Sequence, residues 1–145
     1  MPLFNPDKIA SLVSEMRKAI NRLKSLGTLD KESFLNDPDK IGSAKYNFVI
    51  AIESAIDICN HIISQNAYRA PEDYADTFQI LGEQAIFDKD FLRTLKDMAR
   101  FRNRLIHLYW EVDDEQVYEI LQSRLDDFKV FLSRIAGFLK LENLW

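Results

Sequence analysis

The sequence has little of several residue types, and each shortage excludes a class of protein. Cys59 is the only cysteine, so no disulfide can form within the chain, and the apolar residues around it predict a small core side chain. Four glycines and four prolines do not suit a turn-rich sheet protein. No apolar run approaches the roughly 18 residues needed to cross a bilayer, and the first residues do not resemble a secretion signal. We therefore expect a cytoplasmic protein that does not enter a membrane.

Motifs for metal, cofactor or nucleophilic chemistry are also missing. His61 and His107 are the only imidazoles, and the acidic residues occur mainly at helix starts and surface positions, where capping or solvation explains them. Neither a glycine-rich phosphate loop nor a serine nucleophile motif is present. We expect no metal and no cofactor. The chemistry left open is acid and base catalysis by side chains.

What the sequence does contain indicates one all-α domain. With 145 residues and 47% hydrophobic content, the chain can build one substantial core, so residues 1–145 should form a single domain of about five helices. Start and stop signals predict these helices at Asn5-Pro6 to Gly27, Asp37-Pro38 to about Ala67, Glu72 to Leu81 with Gly82 closing it, Asp88 to about Leu108, and Asp113-Asp114 to near Leu141.

The fourth predicted helix places an arginine where an apolar residue is expected. Phe91, Leu95 and Met98 have helical spacing, and the same spacing leads to Arg102 and then to Leu105 and Tyr109. A guanidinium stays charged in a protein, so burying it costs several kcal/mol unless an anion or several acceptors compensate it. The pattern predicts such a partner for Arg102.

His107 does not share the face of Arg102. On a regular helix the two side chains point about 140° apart, whereas Asn103 and His107 lie one turn apart on a common face. Either the helix unwinds near His107, or a second copy of the chain brings the two groups together. The structural alternative is a packed arginine and a histidine whose cation favours the helix C-terminus.

Residues 93–104 carry a local charge of +4, although the whole chain has a net charge of −4. Arg93, Lys96, Arg100 and Arg104 repeat at helical spacing and lead to His107. Such a stripe can be a solvated helix face or a surface for the phosphates of RNA. Because it ends at a candidate proton-transfer group, we predict phosphate contact.

The run Phe101-Arg102-Asn103-Arg104-Leu105-Ile106-His107-Leu108-Tyr109-Trp110 resembles the signature of HEPN domains, in which an arginine and a polar residue precede a histidine. It is most similar to the HepT branch, which adds a tyrosine two residues after the histidine. Residues 51–62 and 71–81 also resemble that branch. The likeness covers roughly residues 41–131 and implies an antiparallel HEPN-type bundle that acts as a toxin ribonuclease, held in check by an MntA-like nucleotidyltransferase antitoxin.

The residues suggest a division of roles for RNA cleavage. We assign proton transfer to His107, because an imidazole exchanges protons near neutral pH, and the phosphate clamp to Arg102. Asn103 is assigned to orient the imidazole or the phosphate. In the HepT branch the nucleotidyltransferase attaches AMP to the tyrosine that matches Tyr109, although that ring can also be a core residue. His61 is better explained as a satisfied core or interface histidine.

Apolar residues on two sides of the motif helix suggest a homodimer. Leu92, Phe101 and Leu108 lie off the main stripe, so one side can face the bundle and the other a second subunit. Two other functions stay open at this point. One is a non-catalytic module that presents nucleotide or substrate to a nucleotidyltransferase, and the other is a structural helical dimer.

Overall fold

A computed structural model describes residues 2–145, which form helices joined by short connections. The elements in chain order are α1 (Pro6–Leu26), α2 (Lys31–Leu35), α3 (Pro38–Gln65), α4 (Tyr74–Glu83), α5 (Lys89–His107), a 3-10 turn (Tyr109–Glu111), α6 (Asp114–Ser123) and α7 (Asp126–Leu139). Within residues 2–145 there is no β-strand, which confirms the all-α prediction. The same residues contain seven α-helices rather than about five.

Short polar side chains start the helices where the sequence predicts. Asn5, Asp37, Asp88 and Asp113 each accept a hydrogen bond from a backbone N–H in the first turn of the helix that follows. These caps satisfy N–H groups that have no partner inside the helix. The observed starts of α1, α3, α5 and α6 therefore follow from local sequence.

The predicted last helix is broken in two between Ser123 and Asp126. Its first half, α6, buries Val117 and Leu121 in one hydrophobic cluster, whereas α7 buries Phe128 and four later apolar residues in another. One straight helix cannot turn its apolar face toward both clusters. The break therefore follows from tertiary packing, which a periodic sequence pattern does not reveal.

Gly82 does not close α4, contrary to the prediction from sequence. It lies in the last turn of the helix, which ends at Glu83. A Cβ added at Gly82 would lie 2.7 Å from Cδ2 of Leu92, so any larger residue here would force the Leu92 side chain to shift. The residue with positive φ after this helix is Ala85, at 60°.

α3 is the central helix, and it contacts α1, α2, α4, α5, α6 and α7. Its apolar side chains contribute to both hydrophobic clusters, and Cys59 is fully buried among them, so burial raises the pKa of its thiol. No helix within residues 2–145 combines the length and apolar content that a membrane crossing requires.

Arg69 fixes the position of α4 relative to the end of α3. Its guanidinium donates to both carboxylate oxygens of Asp76 at 2.7 Å and to both oxygens of Glu83 at 2.8 and 3.0 Å. These hydrogen bonds lower the pKa of Asp76 to about 2. Tyr74 begins α4, so this clamp also holds the helix that carries Tyr74.

Candidate active site

Arg102 lies where α5 meets α3 and α4, and only 13% of its side chain is exposed. Its Nη2 and Nε donate to the same carboxylate oxygen of Glu53, at 2.6 and 3.1 Å. Its Nη1 donates to Oδ1 of Asn103 at 3.2 Å. The central guanidinium carbon also lies 4.7 Å from the centroid of the Tyr74 ring, within the range of a cation–π interaction. The predicted burial of Arg102 is confirmed, and Glu53 is the compensating anion.

These contacts do not use all the N–H groups of the guanidinium. Arginine has five N–H groups, and three of them donate to partners within residues 2–145. The second N–H on each terminal nitrogen makes no hydrogen bond to another residue in this range. Glu53 and Tyr74 thus hold Arg102 in position while two of its donors stay without a protein partner.

His107 is the last residue of α5 and is exposed to solvent. The helix stays hydrogen-bonded to this point, since the backbone N–H of Leu108 donates to the carbonyl of Arg104 at 2.9 Å. The chain therefore does not unwind before His107, and the imidazole and Arg102 point about 140° apart on one regular helix. Across residues 2–145 the His107 ring has no hydrogen-bonding partner, and Asn103 contacts Arg102 instead.

The sequence predicts that Tyr109 continues the stripe of Arg102, and the structure shows that it does not. α5 ends at His107, and Tyr109 begins the 3-10 turn that follows, with 48% of the residue exposed. Its ring faces Lys45 on α3, whose Nζ lies 4.2 Å from the ring centroid. Lys45 also pairs with Asp114 at 2.9 Å, so one lysine connects α3, the turn and the start of α6.

A groove of about 410 Å³ between α3 and α5 connects Tyr109 with the Arg102 pair. Tyr109 lines one part of it, and Glu53, the partner of Arg102, also lines it. The remaining lining residues are Gly42, Lys45, Tyr46, Val49, Ile50, Leu105 and Ile106. Tyr109 and Arg102 thus do not share a stripe on α5; the link between them is Glu53 of α3, which lines the groove with Tyr109 and pairs with Arg102.

The basic stripe of α5 is present, but most of its charges have local partners. Arg93 lies 3.7 Å from Asp90, Arg100 lies 2.9 Å from Asp97, and Lys96 donates to the Gln79 amide oxygen at 2.5 Å. Arg104 makes no salt bridge within residues 2–145. The pairs of Arg93 and Arg100 are exposed and weak, so an approaching polyanion can replace them.

Two of the three apolar residues on the second side of α5 pack against other helices of the same chain. Leu92 packs against Gly82, and Phe101 makes an edge-to-face contact with Phe48 at 5.7 Å between ring centroids. The apolar surface that stays exposed lies further along the chain, at the end of α5 and in the turn after it. It consists of Ile106, Leu108, Tyr109 and Trp110, with Trp110 exposed by 78%.

His61 has a structural role in the connection between α3 and the start of α1. Its Nε2 accepts a hydrogen bond from the backbone N–H of Asn5 at 2.9 Å. Partial burial and the nearby Lys8 lower the pKa of the imidazole, which favours the neutral form that can accept this bond. The interpretation of His61 as a satisfied interface histidine agrees with this contact.

Sequence reasoning missed the roles of Glu53, Tyr74 and Lys45. Glu53 and Lys45 are charged residues within the predominantly apolar α3, and such residues require an opposite charge nearby when they are buried. That signal predicts partners in general. It does not pair Glu53 with Arg102, which lies 49 positions further along the chain.

The fold and the site define a helical-bundle protein that carries a mostly buried arginine and an exposed histidine five positions apart on one helix. A family model described as "Ribonuclease HepT-like" matches residues 16–135, and the chain belongs to this family. Over 131 residues the chain is 28% identical to "mRNA nuclease HepT" of Shewanella oneidensis, with 90% of this chain and 98% of the relative covered. It is 21% identical to "tRNA nuclease HepT" of Aphanizomenon flos-aquae, with 96% and 95% covered.

A similar solved structure is a tri-AMPylated HEPN toxin of Shewanella oneidensis in complex with its MNT antitoxin. The TM-score is 0.85 at 27% sequence identity, and the match covers 92% of this chain and 99% of that one. The resemblance to the HepT branch seen in the motif and helix sequences is thereby confirmed at the level of family and fold.

The pairing of Glu53 with Arg102 leads to a stability prediction. Glu53→Gln removes the charge from the partner of a mostly buried guanidinium and should lower the free energy of unfolding by about 1–2 kcal/mol, since Glu53 itself is partly exposed. Urea unfolding followed by circular dichroism measures the change. Asp57→Asn, one turn away on α3, is the control; burial and the nearby Glu53 raise the pKa of Asp57, so removing its charge should leave the stability unchanged or higher. Equal effects of both variants would contradict a specific role for Glu53.

Proposed function

We propose that this chain is a metal-independent endoribonuclease that acts as the toxin of a toxin–antitoxin pair. The observation that carries the proposal is Arg102, a mostly buried guanidinium held by Glu53 and Tyr74 with two N–H groups free. Membership of the HepT-like ribonuclease family and similarity to nucleases named for mRNA and tRNA support RNA as the substrate.

In the proposed reaction RNA supplies its own nucleophile. The 2′-oxygen attacks the adjacent phosphorus and loses its proton, the bond from phosphorus to the 5′-oxygen breaks, and that oxygen leaves with its electron pair and takes up a proton. The products are a 2′,3′-cyclic phosphate and a 5′-hydroxyl. His107 transfers a proton, and Arg102 stabilises the negative charge that builds up on the phosphate oxygens. Asn103 holds Arg102 and can donate its amide N–H groups to the same phosphate.

The proposed active form is a homodimer. Because α5 is regular through His107, one chain directs Arg102 and His107 to different sides, and a second copy can bring the two groups into one cleft. The exposed apolar residues Leu108 and Trp110 lie directly after His107, where a contact between two copies would bury them. The basic residues Arg93, Lys96, Arg100 and Arg104 would then guide RNA along α5 toward the imidazole.

The proposed regulator is an MntA-like nucleotidyltransferase that transfers AMP to Tyr109. The phenol oxygen bonds to the α-phosphorus of ATP, the bond to the β-phosphate bridging oxygen breaks, pyrophosphate leaves with the electron pair, and the phenol proton passes to solvent. Tyr109 is accessible for this transfer, since it is 48% exposed. The similar toxin from Shewanella oneidensis was solved tri-AMPylated and bound to its MNT antitoxin, which supports this kind of control.

The second candidate function is a non-catalytic module that presents nucleotide to a nucleotidyltransferase. The observation that favours it is the His107 ring, which within residues 2–145 has no hydrogen-bonding partner to orient it. A purified chain that binds RNA without cleaving it would support this alternative.

The first prediction from the proposed function concerns nuclease activity. The purified chain should cleave RNA in the presence of EDTA and leave a 2′,3′-cyclic phosphate or its hydrolysis product, detected by mass spectrometry of the fragments. His107→Ala and Arg102→Ala should each reduce the rate by a factor on the order of 10² or more. His61→Ala, whose ring contacts the backbone of Asn5, serves as a matched histidine control and should retain activity. Undiminished cleavage by both site variants would refute the assignment.

The second prediction concerns assembly. Sedimentation equilibrium at micromolar concentration should give the mass of a dimer, and Trp110→Glu should shift the chain toward monomer because it places a charge in the proposed contact. Val130→Glu, at an exposed apolar position on α7, should leave the dimer intact. A wild-type chain that is monomeric at these concentrations would remove the shared cleft.

The third prediction concerns regulation. Tyr109→Phe should keep nuclease activity and escape silencing by the co-expressed cognate nucleotidyltransferase, because the ring remains while the acceptor oxygen is lost. Mass spectrometry should find one or more AMP units on the wild-type peptide that contains Leu108 and Tyr109. Silencing of the Phe variant as efficiently as the wild type would show that control does not depend on Tyr109.

A further inference from the structure

Lys45 is a buried charge that the proposed cleavage reaction does not use. Only 7% of its side chain is exposed, and its ammonium contacts the carboxylate of Asp114 and the face of the Tyr109 ring. Asp114 is itself 45% exposed and thus partly compensated by water. The ammonium of Lys45 thus lies against the ring of Tyr109, the residue proposed to receive AMP.

The groove beside Lys45 has walls that suit a purine base. Val49, Ile50 and Ile106 supply apolar side chains, and Tyr46 supplies an aromatic ring that is 62% exposed. Adenine stacks on aromatic rings and packs against aliphatic groups. Glu53, the acidic residue that lines the groove, is neutralised by its pair with Arg102. The groove therefore combines a cation, an apolar wall and an exposed ring along a short path from Tyr109.

We propose that the groove between α3 and α5 is a nucleotide-binding site that acts in cis and receives the adenylyl group carried by Tyr109. The phosphate binds the ammonium of Lys45, and the adenine lies against Tyr46 and Ile106. The inference rests on the proposed function, because it requires AMP on Tyr109. The phosphorus is bonded directly to the phenol oxygen, and the Tyr109 ring already contacts Lys45, so its oxygens can reach the ammonium by a small side-chain rotation.

This placement explains how a modification outside α5 can affect Arg102. The groove is lined by Glu53, which holds the guanidinium, so an adenylyl group bound there lies beside the phosphate clamp. The bound nucleotide then occupies space next to the Arg102 pair and obstructs the approach of a substrate phosphate. Silencing becomes a property of the modified chain itself and persists after the nucleotidyltransferase has dissociated.

The experiment compares modified and unmodified forms of each variant. Wild type, Lys45→Met, Lys45→Arg and Tyr46→Ala are adenylylated with the cognate nucleotidyltransferase and MgATP, and the forms that carry AMP on Tyr109 are separated and verified by intact mass. Two quantities are then measured. One is the ribonuclease activity of each modified form relative to its own unmodified form, and the other is the rate at which a phosphodiesterase removes the AMP. Lys40→Met, an exposed lysine on α3 outside the groove, is the control.

We expect AMP to abolish the ribonuclease activity of wild type and of the Lys40→Met control, and we expect the phosphodiesterase to remove that AMP slowly from both. The ratio of modified to unmodified ribonuclease activity should be about tenfold higher for Lys45→Met than for wild type. The phosphodiesterase should also remove AMP from this variant about tenfold faster than from wild type. Tenfold is the factor expected for one lost charge-assisted hydrogen bond. Lys45→Arg should resemble wild type, because it keeps the charge. Tyr46→Ala should change both quantities in the same direction, and its exposed position allows the chain to fold whatever happens at Lys45.

Two results would overturn the inference, and they are distinguishable. If wild type carries no AMP on Tyr109, the proposed modification fails at the first mass measurement, and the groove has no nucleotide to bind. If all variants carry AMP, lose ribonuclease activity and release AMP at the same rate as wild type, Tyr109 is modified but the groove does not bind the nucleotide.

Discussion

The ion pair between Glu53 and Arg102 is the interaction on which the site depends. A guanidinium cannot lose its charge, so its burial between α3, α4 and α5 requires an anion at that point. Glu53 meets the requirement through a single carboxylate oxygen and leaves two N–H groups of Arg102 without a protein partner in residues 2–145. The Tyr74 ring, at the start of α4, also lies against the guanidinium. Three helices thus cooperate to hold one cation in position.

The regularity of α5 imposes a second constraint. A helix that is hydrogen-bonded through His107 directs Arg102 inward toward Glu53 and His107 outward toward solvent. One chain therefore does not direct the guanidinium and the imidazole at one atom. This geometry, together with the exposed apolar residues that follow His107, is the reason for proposing that two copies form the site.

Charge is distributed so that the two faces of α5 have different uses. The outer face carries basic residues whose acidic partners are exposed and weakly bound, and it is the face that the proposed function assigns to the RNA backbone. The face toward α3 borders a groove in which Lys45 and the Arg102 pair are separated by apolar and aromatic side chains. The end of α5 separates these two surfaces, and Tyr109 lies in the turn where the chain leaves the helix.

The helical class, the burial of Arg102 and the four caps could be predicted from sequence, because they depend on local spacing and on side chains that act within one turn. The need of Arg102 for an anion followed from the same pattern. The identity of that anion as Glu53, the break before Asp126 and the contact of Tyr109 with Lys45 became visible only in the folded chain. These features depend on contacts between residues far apart in the sequence, and the sequence pattern does not state which distant residues meet.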